Sequence, residues 1–427
     1  MPAPLAAILT LGCKLNIADS EEVARDLRTA GFRVVEGLCE ADAYVINTCS
    51  VTHTADRKSR KLVRSVRRLA PSAQVVVTGC FPQSAGEEAA RELGADLVAG
   101  MRDAGRARIV DFLGRAVSAG EQPSPAVPAR VGRAFIKAQE GCNDVCAFCI
   151  VPRTRGREVS RPVSRVVEGV QRAVDDGVRE VVITGTQLGA WGRDFAQRLT
   201  PDCLIAGILE QTDVPRVRFS SLQPRDITPQ LLALWRDPRL MPHFHLALQS
   251  GSEATLTAMR RRYTVAEFVR AAERIRAAVD DVAITTDVIA GFPGETEAQF
   301  AETLALCEEV GFARIHAFPY SPRARTTAAL LPGRLEPAVV KERMARLLAL
   351  SGELWRRFRE GQCGSVRPVL WEAPRTGPDG CLQAFGHTDT YVPVFASAGS
   401  LESRITPALL GEVYDDGVRG SVPGEAL

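Results

Sequence analysis

Short apolar runs alternate along the chain with longer stretches in which apolar residues recur at steps of three and four, the periods of strand and amphipathic helix. In residues 1–115 the runs fall at 6–11, 43–46 and 74–77, each followed by a helical pattern, which predicts a parallel sheet with crossover helices. Six further strand candidates follow: AFIKAQ at Ala134, EVVITG at Glu180, RVRFSS at Arg216, HFHLALQ at His243, AITTDVIAG at Ala283 and ARIHAF at Ala313. Helical stretches separate them, for example SRVVEGVQRAVDDG from Ser164, which closes on Gly177 as a C-cap. Six βα units predict an open or partial barrel, with chemistry on the loops that follow the strands. After a helical stretch at about 336–360, short strand candidates such as VRPVLWE and TYVPVFAS predict a small β-barrel. The run AVSAGEQPSPAVPARVG has neither period and reads as a linker. The expected architecture is α/β: an N-terminal parallel α/β sandwich at 1–115, a linker at 116–132, a central partial (β/α)6 barrel with a C-terminal helix at 133–362, and a small β-barrel at 363–427.

Composition narrows the class of protein. With 427 residues, 45% hydrophobic and 24% charged, the chain can fill two or three ordinary cores. The opening MPAPLAAILT lacks a basic region followed by an apolar core, and no apolar run is long enough to span a bilayer. A cytoplasmic chain with no membrane partner is therefore expected. The net charge of +2 neither demands nor excludes an anionic partner, so local clustering has to decide. Eleven widely spaced cysteines are too sparse for a disulfide scaffold and favour metal or redox chemistry.

Two groups of cysteines carry that chemistry. In EGCNDVCAFCIVPRTRGRE, Cys142, Cys146 and Cys149 stand at spacings of four and three and follow the first barrel strand. Iron-sulfur clusters normally take four thiolates, so three would leave one iron open to a substrate or cofactor. A zinc site completed by a distant histidine, or buried cysteines without chemistry, are the alternatives. The second group is dispersed: Cys13 ends AAILTLGC, Cys49 ends AYVINTC and Cys80 ends QVVVTGC. Each follows an apolar run of the first domain, and strands of one parallel sheet end on one edge, so the three would converge. Three separate loop cysteines are the plainer alternative. Cys39, Cys203, Cys307, Cys363 and Cys381 follow no such pattern and read as structural.

The CxxxCxxC loop resembles that of radical S-adenosylmethionine enzymes, and the chain as a whole resembles the methylthiotransferases among them. The motifs are GCKLN at Gly12, NTCSVT at Asn47, TGC at Gly79, the cluster loop, LALQSGSEATLTAMRRRYT at Leu246, TDVIAGFPGETE at Thr286 and FPYSPRARTTAA at Phe318. The resemblance implies a radical-SAM barrel, a TRAM-like C-terminal domain and two 4Fe-4S clusters, one on Cys142, Cys146 and Cys149 and an auxiliary one on Cys13, Cys49 and Cys80. It further implies insertion of a methylthio group at an unactivated carbon-hydrogen bond. One S-adenosylmethionine donates a methyl group to sulfur, and another, bound at the free iron, yields a 5'-deoxyadenosyl radical. An electron donor such as a flavodoxin or ferredoxin and a sulfur source are implied as partners.

For the S-adenosylmethionine site the expected contacts are Gly185 and Thr186 in TGTQLG, Gln249 and Ser250 at the fourth strand end, and Gly291. Strand-end turns, caps and packing are the plainer readings of the same residues. Thr296 and Gln299 form a capping box. His243 and His245 share one face of a strand, and a packed role is expected for them. Similar proteins read S-x-R-x-G-T-x-A where this chain has SPRARTTA, so a glycine-dependent backbone is expected to be relaxed at Arg325.

For nucleic acid the informative segment is ADRKSRKLVRSVRRLAP, with seven Lys or Arg and no acid between Arg57 and Arg68. Arg57, Arg60, Lys61, Arg64, Arg67 and Arg68 fall on one side of a helix, with Leu62, Val63, Val66 and Leu69 largely on the other, an expected phosphate-facing stripe. Arg153, Arg155 and Arg157 add charge beside the cluster loop. The tail from Cys363 has four Arg against eight acidic residues, unlike the basic surface expected of a TRAM-like domain that grips RNA. The leading expectation is a tRNA methylthiotransferase acting on carbon 2 of N6-threonylcarbamoyladenosine beside the anticodon, since GCKLN and VTHTADRKSRK resemble that branch. Enzymes acting on isopentenyladenosine in tRNA or on an aspartate of a ribosomal protein are the alternatives, with a noncatalytic iron-sulfur protein as a third class.

Overall fold

The computed structural model describes residues 3–115, 132–397, 399 and 401–423. The linker expected at 116–132 lies outside the described residues except for Gly132. The chain divides into two compact units, and the division does not follow the sequence in one cut. The first gathers the described residues up to 115 with Glu140–Glu158 and Ser321–Ala329; the second holds the remainder.

The first unit is built on a five-stranded, all-parallel sheet of β1 (Leu5–Thr10), β2 (Arg33–Glu36), β3 (Ala43–Thr48), β4 (Gln74–Gly79) and β5 (Leu97–Val98), in the order β2-β1-β3-β4-β5. Helices α1 (Lys14–Thr29), α2 (His53–Leu69), α3 (Cys80–Ala85) and α4 (Asp103–Gly114) accompany it, and the short α5 (Val151–Thr154) comes from the cluster loop. Alternation assigns the two faces: Ala6 and Ile8 pack with Val23, Leu27 and Ile109, whereas Ala7 and Leu9 pack with Val63, Val66 and Val77. Both faces are covered, which explains why these strands read as continuous apolar runs.

In the second unit all six expected barrel strands are present. They are β6 (Arg133–Lys137), β7 (Glu180–Thr184), β8 (Arg216–Phe219) with its continuation β9 (Ser221–Leu222), β10 (His243–Leu246), β11 (Ala283–Ala290) and β12 (Arg314–Pro319). They form parallel sheets β8-β7-β6 and β9-β10-β11-β12, joined where β8 runs through Ser220 into β9. The helices α6 (Val163–Asp175), α7 (Val265–Ala278), α8 (Glu297–Val310) and α9 (Pro337–Gln362) pack on one continuous core that includes Val166, Ile183, Phe219, Phe268, Phe300 and Leu347. Their ends follow local chemistry: Thr296 and Gln299 close the capping box on α8, and Gly311 ends that helix in the left-handed conformation at φ +61°.

The last five strands, β13 (Val366–Thr376), β14 (Leu382–Thr388), β15 (Pro393–Ala396), β16 (Ile405–Tyr414) and β17 (Gly417–Ser421), close into a barrel in the order β13-β14-β15-β17-β16. This barrel docks where the strands of the larger sheets begin. Glu180, fully buried at the start of β7, meets Arg133 Nε at 2.5 Å and Arg218 Nε at 3.0 Å. Arg218 continues to the carbonyls of Asp389 and Thr388 at 2.7 and 2.8 Å. The Tyr391 ring lies under the Arg218 and Arg133 guanidinium groups at 4.3 and 4.8 Å and tilts against His243 at 5.1 Å. His243 thus has the packed role expected of it. The C-terminal barrel therefore occupies the end of the sheet opposite to the loops that follow the strands.

Candidate functional site

Cys13, Cys49 and Cys80 come to one edge because β1, β3 and β4 are neighbours in register. Thr10 pairs with Asn47 and Thr48 with Gly79, so each cysteine follows the C-terminal end of its strand. Gly12 makes the approach possible. It sits at φ +121°, and a Cβ there would stand 3.0 Å from Cys49 Cβ and 2.8 Å from Asn16 Oδ1. Cys49 and Cys80 are buried, Cys13 is exposed, and the thiols feel one another's charge. Burial pushes the Cys49 thiol up to about 11 and raises Cys80 as well. At neutral pH such thiols keep their protons unless a metal displaces them, a poor arrangement for a free nucleophile and a suitable one for metal ligands.

Asn16 and Asn47 order this edge. Asn16 Nδ2 donates to Asn47 Oδ1 at 2.8 Å and to the Thr48 carbonyl at 3.1 Å, while Asn47 Nδ2 donates to the Asn16 carbonyl and to Ser20 Oγ. The Cys13 thiol donates to Asn16 Oδ1 at 3.3 Å. Both asparagines stand in the motifs GCKLN and NTCSVT, yet their hydrogen-bonding role has no signature in spacing alone.

The second triad lies in the same compact unit. Cys142, Cys146 and Cys149 are all half-buried, on a loop tied by Cys142 N–H to the Gly156 carbonyl and Cys149 N–H to the Cys146 carbonyl, both at 3.1 Å. Gly141, at φ +77°, is forced by closeness, because a Cβ there would collide with the Arg157 carbonyl. The Asp144 N–H points at Cys142 Sγ at 3.4 Å, and burial raises the Cys142 thiol to about 11. Among the described residues no three His, Cys, Asp or Glu converge as tightly as a single metal ion requires. One zinc ion gathers its ligands to about 2.3 Å or less, whereas a cluster spreads its thiolates over several irons. Three thiols at each site are the donor chemistry that iron-sulfur clusters take.

Two elements pin the cluster loop inside this unit. Helix α5 packs on α3, the helix that starts at Cys80. Arg102 Nη2 donates to the Arg155 carbonyl at 2.9 Å, and the Ala328 N–H donates to the Ala147 carbonyl at 2.8 Å. The SPRARTTA segment belongs to the same construction. Arg323 Nη2 reaches Asp56 Oδ2 at 2.7 Å and Ser50 Oγ at 2.9 Å, next in sequence to Cys49. Sequence reading missed Arg323. The expected relaxation at Arg325 does not occur, since that residue holds φ +66° despite its side chain.

The basic residues need correction one by one. Arg155 is buried, its guanidinium committed to Asp19 Oδ2 at 2.6 Å, Glu140 Oε1 at 3.0 Å and Asn16 Oδ1 at 3.2 Å, so it does not face RNA. Arg153 and Arg157 are exposed. On α2, Arg67 is spent on the Gly94, Pro71 and Ala73 carbonyls and on Asp96, a structural clamp. Arg60 lies over the Phe81 ring at 4.8 Å. Arg57, Lys61, Arg64 and Arg68 are exposed along an open groove of about 910 Å³, Lys58 is exposed outside it, and Ser59, Val63 and Val66 face inward. Leu69, expected on the inner side, is 40% exposed.

The expected S-adenosylmethionine contacts belong to the second unit. Gly185 and Thr186 are half-buried after β7, and a Cβ on Gly185 would stand 3.0 Å from Gln139 Cβ, so part of that glycine's role is packing. Gln249 is held at φ +71°, its N–H on the Asp287 carbonyl and its carbonyl accepting from Ile289, with a half-buried side chain. A strained non-glycine backbone at a strand end marks a position the surroundings over-determine. Ser250 is different: fully buried, it bonds Thr303 Oγ1 and accepts from the Ser252 N–H, bonds that tie the strand end to a helix. Gly291 is likewise buried, donates its N–H to Glu295 Oε2 at 2.8 Å and would meet Val340 through a Cβ. An open pocket of about 720 Å³ beside it is lined by Tyr320, Arg334 and Lys341.

Residues 6–100 match the model of the Uncharacterized protein family UPF0004, and residues 136–307 match the Radical SAM superfamily. The chain is 35% identical to the Threonylcarbamoyladenosine tRNA methylthiotransferase MtaB of Bacillus subtilis, over 91% of this chain and 89% of that protein. It is 37% identical to the tRNA-2-methylthio-N(6)-dimethylallyladenosine synthase of Paracoccus denitrificans, over 93% and 92%. Among solved structures, the radical S-adenosylmethionine methyltransferase TsrM of Kitasatospora setae shares the fold at a TM-score of 0.55 and 15% identity, covering 75% of this chain and 77% of that one. Two thiol triads on one compact unit, a partial barrel and full-length relatives of this kind agree: the chain belongs to the radical S-adenosylmethionine methylthiotransferase family.

Proposed function

We propose that this enzyme adds a methylthio group to carbon 2 of N6-threonylcarbamoyladenosine in tRNA. The observation that carries the reading is the presence of two three-thiol sites in one compact unit, since methylthiolation needs both a radical generator and a sulfur carrier. Cys142, Cys146 and Cys149 would hold the cluster that binds S-adenosylmethionine, and Cys13, Cys49 and Cys80 the auxiliary one. When bound, these groups supply the radical and the sulfur. The protein's own contribution is placement: Asn16 and Asn47 orient the auxiliary edge, Gly141 and Asp144 shape the other loop, and the half-buried Gly185, Thr186 and Gln249 offer polar groups to the methionine end of the cofactor.

Relatives acting on either nucleoside match about equally well, so the choice of substrate rests on residues. The exposed Arg153 and Arg157 suit the threonyl carboxylate, in the forked pairing that guanidinium groups favour and an isopentenyl group does not offer. Exposed bases along α2 would hold the tRNA backbone. A flavodoxin or ferredoxin as electron donor, a sulfur source and a cytoplasmic location complete the reading. Nucleoside mass spectrometry of tRNA from a deletion strain tests it. The methylthio-threonylcarbamoyl nucleoside should vanish and its precursor accumulate, with isopentenyl nucleosides unchanged. Loss of the methylthio-isopentenyl nucleoside instead would reassign the substrate.

A further inference from the structure

Arg155 is a guanidinium with 5% of its side chain exposed, in a loop otherwise defined by cysteines. Its partners come from two segments. Asp19, fully buried on α1, takes Nη1 at 2.6 Å; Glu140, two residues before Cys142, takes the same nitrogen at 3.0 Å. Nη2 donates to Asn16 Oδ1 at 3.2 Å, the oxygen that also accepts from the Cys13 thiol at 3.3 Å. Burial raises the Cys80 thiol, and the Arg155 charge offsets part of that rise. One buried cation thus touches the surroundings of two of the three auxiliary cysteines while its backbone belongs to the loop of the other three. A purely structural tie would need only the carboxylates.

The geometry points to Arg155 as a positioning residue that sets the reduction potential of the auxiliary cluster, with Asp19 as its counterweight. The inference rests on the assignment of that cluster to Cys13, Cys49 and Cys80. Reduction brings one electron from the donor into the cluster, makes or breaks no bond and leaves Arg155 protonated, so the added negative charge is felt directly by the guanidinium. Cluster potentials respond to nearby net charge and to hydrogen bonds on sulfur. Arg155 favours the reduced state; Asp19 disfavours it.

The test is an EPR-monitored redox titration of the anaerobically reconstituted, full-length enzyme. Arg155→Met should lower the auxiliary midpoint by at least a tenfold change in the reduced-to-oxidised ratio, about 59 mV for one electron. Asp19→Asn should move it in the opposite direction, and Arg155→Lys should restore part of the loss. Opposite signs separate this effect from general disruption, which would move both variants alike. Unchanged midpoints in proteins of full iron content, or shifts of one sign, overturn the inference. If replacing Cys13, Cys49 and Cys80 by Ala leaves the iron content at the wild-type level, the cluster assignment itself falls and this inference with it.

Discussion

Arg323 and Asp56 stand 267 positions apart in the sequence and 2.7 Å apart in the structure, both largely buried. Ser50 bonds each of them, which links this pair to the residue beside Cys49. Removing one partner of a buried pair leaves an uncompensated charge at a cost of about 3–5 kcal/mol. Arg323→Ala is therefore expected to lower the unfolding midpoint and the iron bound through Cys49. Restoring neutrality with Asp56→Asn should recover part of the stability. A single Arg323→Ala variant as stable as the parent would remove the pair from any structural role.

Two clusters predict about eight irons per chain after anaerobic reconstitution. Replacing Cys142, Cys146 and Cys149 by Ala should remove about half and abolish cleavage of S-adenosylmethionine. Full retention of iron in that variant would contradict the assignment of those three ligands.

The α2 surface predicts a salt signature. Charge reversal at Arg57, Lys61, Arg64 and Arg68, all exposed, should weaken tRNA binding and reduce the salt slope by about 0.7–0.9 for each phosphate no longer neutralised. Reversal at Arg67 should instead destabilise the protein, since its bonds go to Gly94, Pro71, Ala73 and Asp96. An unchanged slope in the exposed variant would leave that helix a solvated face.

Acid stability depends on Glu180. Burial alone would raise its carboxyl, but Arg133, Arg218 and Arg216 outweigh burial and hold it far below the ordinary 4.5. Its stabilisation is complete above the ordinary carboxylate range and disappears as pH falls through the depressed folded value. Glu180→Gln should cost about 3–5 kcal/mol at neutral pH and flatten the loss of stability below pH ~4. Denaturant unfolding across pH reads both effects, and a parallel acid limb in parent and variant would contradict the linkage.

Arg325 predicts a gain. A side chain in the left-handed region costs roughly 1–2 kcal/mol, partly offset by the entropy glycine loses on folding. Arg325→Gly should raise the unfolding midpoint by up to about 1 kcal/mol equivalent, and a lowered midpoint would mean that the exposed guanidinium makes up the difference.

In the first unit, strand positions were legible because burial on both sheet faces writes itself as unbroken apolar runs, and the edge on which Cys13, Cys49 and Cys80 meet followed from that; the barrel strands were legible from shorter or interrupted runs such as RVRF and RIHAFP, the last only partly buried. Side-chain commitments were not legible. Arg155 and Arg157 look equivalent in RTRGRE, yet one is buried among carboxylates and the other exposed, and Arg67 differs from Arg64 through the carbonyls of Pro71, Ala73 and Gly94 and the carboxylate of Asp96. Ser250 and Gly291 were expected from their strand ends alone; Ser250 proves to be tied to Thr303, while Gly291 donates to Glu295 and lines the open pocket beside Tyr320. Arg325 kept the backbone of the glycine it replaces because Arg323 and Ala328, anchored on either side, fix the turn.

The interleaving of the first unit has a consequence for synthesis on the ribosome. Its sheet is complete once residue 98 has emerged, but the loop that closes it arrives with Glu140–Glu158 and the last tie with Ser321–Ala329. An N-terminal fragment therefore waits in two stages: Asp19 gains Arg155 soon after the first central strand, whereas Asp56 lacks Arg323 until the last of those strands, Arg314–Pro319, has been made. Domains that fold early during translation usually do so from contiguous sequence. Here the thiol edge gains its last contacts, from Arg323 to Ser50 and Asp56, only after the central strands have been made.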